Sequence, residues 1–196
     1  PSEVCVLADS EANPVFVAAD LLSQAEHGKD SQVLLISDDP KLISRTLEEI
    51  KLQVELLSRS MMAKAALENS KAILVNNLNE GMAIANAYAP EHLIIACADY
   101  EKLATMVSSA GSVFLGNFTP ESAGDYASGT NHTLPTNGHA NAYSGVSLDS
   151  FVKKVTFQKI SKQGLTDLGG TIIAMANAEG LQAHAEAVRL RLSSLS

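Results

Sequence analysis

A few polar pairs in this 196-residue sequence have residue types and spacings suited to acid–base or metal chemistry. Gln24 and His27 are three residues apart, so both project from one face of a predicted helix. Glu91-His92 follows a proline and precedes an apolar run. Two further pairs are Asp125 with His132 and Glu179 with His184. Imidazole and carboxylate groups serve both as general bases and as metal ligands, so these pairs are the candidate functional residues.

Alternating strands and helices occupy the chain up to Gly116. Apolar runs predict strands at 2–8, 32–37, 71–76, 93–97 and 112–116. Helices are predicted at 14–27, 40–57, 60–68, 79–88 and 99–109, with Asn-Pro and Asp-Pro starts at the first two. This order predicts an α/β fold: an incomplete Rossmann-like, mostly parallel sheet with helices on both faces, plus a helical C-terminal tail.

The character of the chain changes after Asn117. Residues 117–147 are rich in Gly, Ser, Thr, Asn and Pro, and such long connections are usually functional or disordered. From there the sequence is helical again, with a strand-like interruption at 155–157 and a final helix predicted at 178–192. We therefore divide the chain into an α/β domain, 1–147, and a helical tail, 148–196.

The predicted topology brings several candidate residues to one edge of the sheet. In a βαβ unit the helix ends beside the amino ends of the strands. Ser2 at the first strand, Gln24 and His27 at the end of the first helix, and Glu91-His92 at the fourth strand all map there. Open α/β sheets usually bind ligands at the opposite, carboxyl edge, so this arrangement is unusual.

Composition limits the class of partner. The net charge is −8 with no cluster of Lys or Arg, which disfavours nucleic acid. No apolar run approaches the length of a membrane span, and no signal segment opens the chain. The two cysteines lie in strand-like runs without metal-type spacing, which favours reduced thiols in a cytoplasmic protein, or a plastid one in a plant. The start at Pro1 without a Met suggests a piece of a longer chain.

Common nucleotide-binding and hydrolase motifs are absent. The more specific segments are Pro1-Ser2-Glu3-Val4, Asp20 to Gly28, Ala89-Pro90-Glu91-His92-Leu93, Glu121 to His132, Leu134-Pro135-Thr136 and Glu179-Gly180-Leu181 with His184. Together these segments resemble histidinol dehydrogenases. They run from the first residue to about Leu192, and the block from Gly124 to His132 is the most specific.

The resemblance implies roles for particular residues. The zinc ligands would be Gln24, His27, Asp125 and His184. In the implied mechanism, His92 removes the proton of the substrate hydroxyl and Glu91 activates water. The positions that match substrate contacts are Ser2, His132 and Glu179.

The resemblance also implies what this chain lacks. The family's NAD contacts lie mostly upstream of residue 1, so the cofactor-binding residues are unknown and this chain corresponds to a carboxy-terminal half. The family is a homodimer whose tail reaches the partner subunit. The implied reaction is the oxidation of L-histidinol to L-histidine through histidinal, with one zinc ion per subunit and NAD as oxidant.

Three other interpretations remain open from the residues themselves. One is metal-assisted hydrolysis by zinc with Glu91 and His92. The second is a related NAD-dependent dehydrogenase that acts on another polyol. The third is a non-catalytic module, because this piece by itself has no recognisable cofactor pocket.

Two structural expectations follow from the implied site. Since a parallel fifth strand ends at the far edge, residues 117–125 must run back along the sheet for Asp125 to reach the zinc, unless that strand is antiparallel. The last helix carries an apolar stripe at Ala178, Leu181, Ala185, Val188 and Leu192. We expect this stripe to pack on a second subunit and to deliver His184 to its zinc, leaving His184 far from the other ligands in a single chain.

Overall fold

A five-stranded, all-parallel sheet forms the centre of the first structural unit in the computed structural model, which describes residues 2–195. The strands are β1 (Glu3–Ala8), β2 (Gln32–Ser37), β3 (Lys71–Leu74), β4 (His92–Ala96) and β5 (Ser112–Leu115). Their spatial order is β3-β2-β1-β4-β5. Because the order reverses at β1, helices cover both faces of the sheet, and the predicted fold class is confirmed.

The helices of this unit are α1 (Pro14–Ala25), α2 (Pro40–Gln53), α3 (Ser60–Leu67), α4 (Leu78–Tyr88), α5 (Tyr100–Ala104) and α6 (Glu121–Tyr126). Short 3-10 helices occupy Val54–Leu56, His139–Asn141 and Leu148–Phe151. Asn13 and Asp39 cap α1 and α2 as predicted, each accepting a backbone N–H with its side chain ahead of a proline.

The central strands are buried on both faces, as their continuous apolar runs predict. Val4, Val6 and Ala8 of β1 belong to the core cluster that includes α1, α2 and α3. Cys5 and Leu7 point to the opposite cluster, which includes α4 and α5. Each buried aliphatic side chain contributes roughly 1.5–3 kcal/mol, so these strands are a rigid base for the residues at their ends.

Helix α5 is shorter than the predicted 99–109. Asp99 makes no side-chain cap, and the helix ends at Ala104. Beyond it, the backbone N–H groups of Ser108 and Ser109 donate to Asn86 Oδ1 of α4 at 2.9 and 3.3 Å. These long-range bonds hold the chain in a non-helical path toward β5.

Residues after β5 return along the sheet, as expected. Asn117 lies at the carboxyl edge, where its Oδ1 accepts from the backbone N–H of Asn13 at 3.1 Å. Asp125 lies at the amino edge, where its Oδ1 is 3.9 Å from His92 Nε2. Part of the return path is helix α6, although the sequence predicted an irregular loop.

A second unit spans 152–196, of which Ser196, like Pro1, lies outside the described residues. It contains α7 (Lys162–Ala178) and α8 (Gln182–Ser193), which pack against each other. The predicted final helix is present, but its predicted start at Ala178 is wrong: it begins at Gln182, because Gly180 adopts a positive φ of 75° and separates it from α7. The strand-like interruption at 155–157 is also wrong, since these residues form no regular structure.

The apolar stripe of the tail is partly covered within its own unit. Ala185 is fully buried, and Val188 and Leu192 are half-buried, in a helix that packs on α7. Leu181 remains 42% exposed. Ala178 is exposed as well. The part of the stripe from Ala185 to Leu192 is thus covered within the unit, and packing of the stripe on a second subunit stays a prediction. Within residues 2–195, no helix combines the length and apolar character that crossing a membrane requires.

Candidate active site at the amino edge of the sheet

The strand register places the predicted rim residues at one edge. Val4 pairs with His92, and His92 pairs with Ser112, so the first residues of the central strands lie side by side. Ser2 precedes β1, and its Oγ lies 3.2 Å from Nδ1 of His27, just beyond the end of α1. The predicted clustering of the rim residues at the amino edge is therefore confirmed.

The backbone of Glu3 holds both members of the Glu91-His92 pair. The N–H of Glu3 donates to Glu91 Oε2 at 3.0 Å, and its carbonyl oxygen lies 3.1 Å from His92 Nδ1. A carbonyl oxygen can only accept, so His92 Nδ1 carries the ring proton and Nε2 keeps its lone pair in the neutral ring. His92 therefore presents a free basic nitrogen from a ring that is 3% exposed.

Gly111 lets the segment that leads into β5 lie close to Glu91 and His92. A Cβ at this position would lie 2.5 Å from the carbonyl oxygen of Glu91. The next residue, Ser112, donates its N–H to the same oxygen at 2.9 Å. The side chain of Glu91 is thus held from β1, and its carbonyl oxygen is held from β5.

Two carboxylates of α6 face the free nitrogen of His92. Glu121 Oε1 lies 3.8 Å from Nε2, and Asp125 Oδ1 lies 3.9 Å from it. One ligand atom from each of these three residues lies within 4.8 Å of the others, which is compatible with a metal ion. Asp125 was predicted as a zinc ligand and His92 as a base, so the structure brings two predicted roles together.

Glu121 is a site residue that the sequence reasoning did not single out. Its side chain is 2% exposed, and its Oε2 lies 2.9 Å from Ser23 Oγ on α1. The Ser23 hydroxyl is also 2.8 Å from the carbonyl oxygen of Asp20, so its one proton is shared. The four-residue spacing from Glu121 to Asp125 was the available signal, but it requires a helix where a loop was predicted.

Carboxyl groups crowd this edge, and their pKa values reflect it. Burial is the main cause that raises the pKa of Glu91, with smaller contributions from Glu3 and Asp125. Burial also raises the pKa of Asp125, followed by its contact with Glu121. Burial and the charge of Glu121 raise the pKa of Asp20 to about 7. A bound cation would favour the ionised forms of these groups.

The other predicted metal ligands differ in their surroundings. Gln24 is 1% exposed, and its amide Nε2 has no hydrogen-bond partner among residues 2–195. His27 is exposed and shares the amino edge, but it is not part of the three-residue group that includes Asp125. His184 lies on α8 in the second unit, and its role as a ligand stays a prediction.

The predicted substrate contacts are distributed over both units. His132 is exposed in the loop after α6, and its charge lowers the pKa of Asp125, which places it in the same neighbourhood. That loop is attached to the edge by Glu3, whose Oε1 accepts the N–H of Asn137 at 2.8 Å. Glu179 is an exposed C-cap residue of α7, and its substrate role stays a prediction.

Buried polar atoms without a partner concentrate at this edge. Within the described part of the chain they are Glu3 Oε2, Gln24 Nε2, Ser31 Oγ, Thr46 Oγ1, His92 Nε2 and Glu121 Oε1. All except Thr46 lie at the amino ends of strands or in the helices that end there. Native proteins rarely leave such atoms unpaired, so the concentration indicates a binding site for a polar ligand.

Comparisons with known proteins identify the family of this chain. The sequence model of the family described as histidinol dehydrogenase matches residues 1–192. Relatives named histidinol dehydrogenase include those of Bacteroides thetaiotaomicron, 60% identical over all of this chain and 46% of the relative, and Xylella fastidiosa, 53% identical over 99% of this chain and 45% of the relative.

A solved structure, the crystal structure of histidinol dehydrogenase from Elizabethkingia anophelis, is 57% identical and matches with a TM-score of 0.97. The match covers 100% of this chain and 45% of that one. The chain thus spans less than half the length of the relatives it matches. The family match and these identities show that the chain belongs to the histidinol dehydrogenase family.

Proposed function

We propose that this chain is the zinc- and substrate-binding part, the carboxy-terminal half, of an enzyme that oxidises L-histidinol to L-histidine through histidinal, using NAD. The observation that carries the proposal is the concentration of unpartnered buried polar atoms around Glu91 and His92. Family membership favours this reaction over metal-assisted hydrolysis, which the residues by themselves did not exclude.

The residues proposed to hold zinc are Gln24, His27, Asp125 and, from the second subunit of a homodimer, His184. Gln24 would bind zinc through its amide oxygen, because an amide NH2 group can only donate hydrogen bonds. Its buried Nε2 without a partner among residues 2–195 supports a polar ligand beside this side chain, which could accept from it. Nitrogen and oxygen donors of this kind suit zinc with room for substrate atoms. When bound, zinc would orient the imidazole and amine of the substrate and polarise the reacting oxygen.

His92 is the proposed base in the oxidation of the alcohol to the aldehyde. Its Nδ1–H is fixed by the Glu3 carbonyl, so Nε2 is the atom that takes the hydroxyl proton. The carboxylates of Glu121 and Asp125, at 3.8 and 3.9 Å, stabilise the positive charge that this transfer places on the ring. NAD would accept one hydride in this oxidation and a second in the next.

Glu91 is the proposed base that activates water for the second oxidation. Its Oε2 accepts from the Glu3 backbone, which fixes the carboxylate and leaves Oε1 available to a water proton. Burial raises the pKa of Glu91, and a carboxylate with a raised pKa is a stronger base. Adding water to the aldehyde gives a hydrate, whose oxidation yields the carboxylate of histidine.

Substrate recognition is assigned to Ser2, His132 and Glu179, of which Glu179 would pair with the substrate ammonium group. We further propose that the enzyme is a cytoplasmic homodimer in which the tail of one subunit completes the site of the other. Glu179 at the end of α7 and His184 near the start of α8 are both exposed, which is compatible with this arrangement.

The direct test measures histidinol-dependent NAD reduction by the full-length protein. Oxidation of an alcohol to a carboxylate removes two hydrides, so we expect two NADH per histidinol consumed. The purified protein should contain one zinc per subunit and lose it in the His27→Ala variant. A zinc-loaded, folded protein that reduces no NAD with histidinol would refute the proposed reaction.

The homodimer is tested by mixing variants. His184→Ala and His27→Ala proteins should each be inactive, because each lacks a zinc ligand in both sites. After subunit exchange the mixed dimer has one intact site and one doubly altered site, so activity should return. If activity does not return although exchange is demonstrated, His184 serves its own chain.

A further inference from the structure

We infer that Glu121 is a positioning residue of the metal site, which together with Ser23 ties helix α6 to helix α1. This inference rests on the proposed function. The proposed ligands come from two helices that are distant in sequence: Gln24 and His27 from α1 and its end, and Asp125 from α6. A metal site made this way needs the two helices held in a fixed relation.

The contact between the two helices lies directly beside the ligands. Ser23 is the neighbour of Gln24 in α1, and Glu121 precedes Asp125 by one helical turn in α6. Ser23 Oγ and Glu121 Oε2 are 2.9 Å apart. Among the described residues, this is the side-chain hydrogen bond that joins α1 to α6.

Besides the close packing of Gly124 against the ring of Phe114, helix α6 has few other contacts that hold its position. It has six residues and begins after Pro120 without a side-chain cap. Isolated helices of this length are unstable in water, so contacts with other elements must fix α6. Its orientation, and with it that of Asp125, therefore depends on contacts such as the one from Glu121 to Ser23.

The second oxygen of Glu121 faces the site. Oε1 is buried, has no hydrogen-bond partner within residues 2–195, and lies 3.8 Å from His92 Nε2. Within the described part of the chain, no Lys or Arg forms an ion pair with Glu121. A buried carboxylate without a compensating charge is costly, which fits a group that works beside a bound cation.

The test compares zinc affinity in full-length holoenzyme variants by competition with a chelator. Ser23→Ala and Glu121→Ala should each weaken zinc binding by about 10-fold to 100-fold, the range for groups that orient metal ligands. The double variant should be no weaker than the worse single variant, because both changes remove the same contact. Glu121→Gln retains an oxygen that accepts from Ser23 and loses only the negative charge, so it should bind zinc more tightly than Ser23→Ala or Glu121→Ala.

A matched control and a spectroscopic readout complete the experiment. Ser122→Ala changes an exposed serine of the same helix and should leave zinc affinity and activity unchanged. Cobalt substituted for zinc reports the ligand set through its visible absorption. We expect the bands of the cobalt-loaded Glu121→Gln protein to match those of the wild type, because Gln keeps the contact with Ser23 and Glu121 is not itself a ligand.

Distinct results would overturn the inference. A Ser23→Ala protein with wild-type zinc affinity would show that the contact does not position the ligands, and altered cobalt bands in Glu121→Gln would make Glu121 a ligand. If Glu121→Ala does not fold, weak zinc binding by Ser23→Ala with retention by Glu121→Gln supports the inference, and any other result from this pair contradicts it. A wild-type protein that holds no zinc would refute the proposed metal site itself.

Discussion

The two edges of the parallel sheet use similar polar residues in opposite ways. At the carboxyl edge, Asp9 follows β1 and both of its oxygens are satisfied: Oδ1 accepts from the N–H of Glu11 at 3.0 Å and Oδ2 from that of Ala98 at 2.7 Å. At the amino edge, Glu3, Glu121 and His92 each keep a buried polar atom without a partner among residues 2–195. At the carboxyl edge the protein satisfies the hydrogen bonds of Asp9 itself, whereas the amino edge leaves polar atoms available to a bound ligand.

This difference separates structural from functional polar residues better than residue type does. Open α/β sheets usually bind ligands at their carboxyl edge, near the strand where the order reverses, which here is β1. Asp9 occupies that position, but its carboxylate is used to link the ends of β1 and β4 and is not left available to a ligand. The buried polar groups without partners therefore indicate that the binding site lies at the amino edge, which is the less usual one.

The largest expected effect of a single substitution is at His92. His92→Asn keeps a planar polar group in the space but removes the base, so kcat should fall by about 10²-fold to 10⁴-fold. Steady-state kinetics of the full-length enzyme with histidinol and NAD measure this, with circular dichroism as the check on folding. Activity within a few-fold of the wild type would contradict the assignment of the amino edge as the active site.

A smaller effect, on stability, concerns Asp20 beside Glu121. Its pKa is raised from 3.8 to about 7, mainly by burial, so the folded protein favours the protonated form. The corresponding stability is fully present below pH 3.8 and is lost as the pH rises through about 7. Asp20→Asn does not titrate, so its Tm advantage over the wild type should grow across this interval to several degrees and then stay constant.

Thermal melting of the metal-free full-length proteins from pH 4 to 8 measures this difference. Asp149→Asn, at an exposed residue of a 3-10 helix, serves as the control and should show no comparable trend. A Tm difference for Asp20→Asn that does not change with pH would mean that the amino edge is not crowded with carboxylates in solution.

The smallest expected effect is at the satisfied edge. Asp9→Ala leaves the N–H groups of Glu11 and Ala98 to water, because both residues are exposed. Stability should fall by about 0.5–1.5 kcal/mol, and kcat and KM should stay unchanged. Urea unfolding and kinetics on the same protein test both parts, and a folded variant that has lost activity would show that the carboxyl edge also serves the reaction.

Much of the first unit was predictable because its signals are local. Continuous apolar runs determine the five strands, and Asn13-Pro14 and Asp39-Pro40 determine two helix starts. The alternation of these elements leads to a parallel sheet, and the parallel sheet brings Ser2, His27 and Glu91 to one edge. The errors, the length of α5 and the absence of α6 from the prediction, occur where long-range contacts decide.

The sequence by itself therefore determined the fold class, the family and the edge at which the candidate site lies, since periodicity, capping residues and motif order are written along the chain. Only the tertiary structure decided that His92 presents Nε2, that Glu121 is buried beside it, and that Gln24 is left unpartnered. Those properties depend on which atoms of distant elements come within 3–4 Å of one another. No local pattern encodes such distances, because they follow from packing the whole sheet and its helices together.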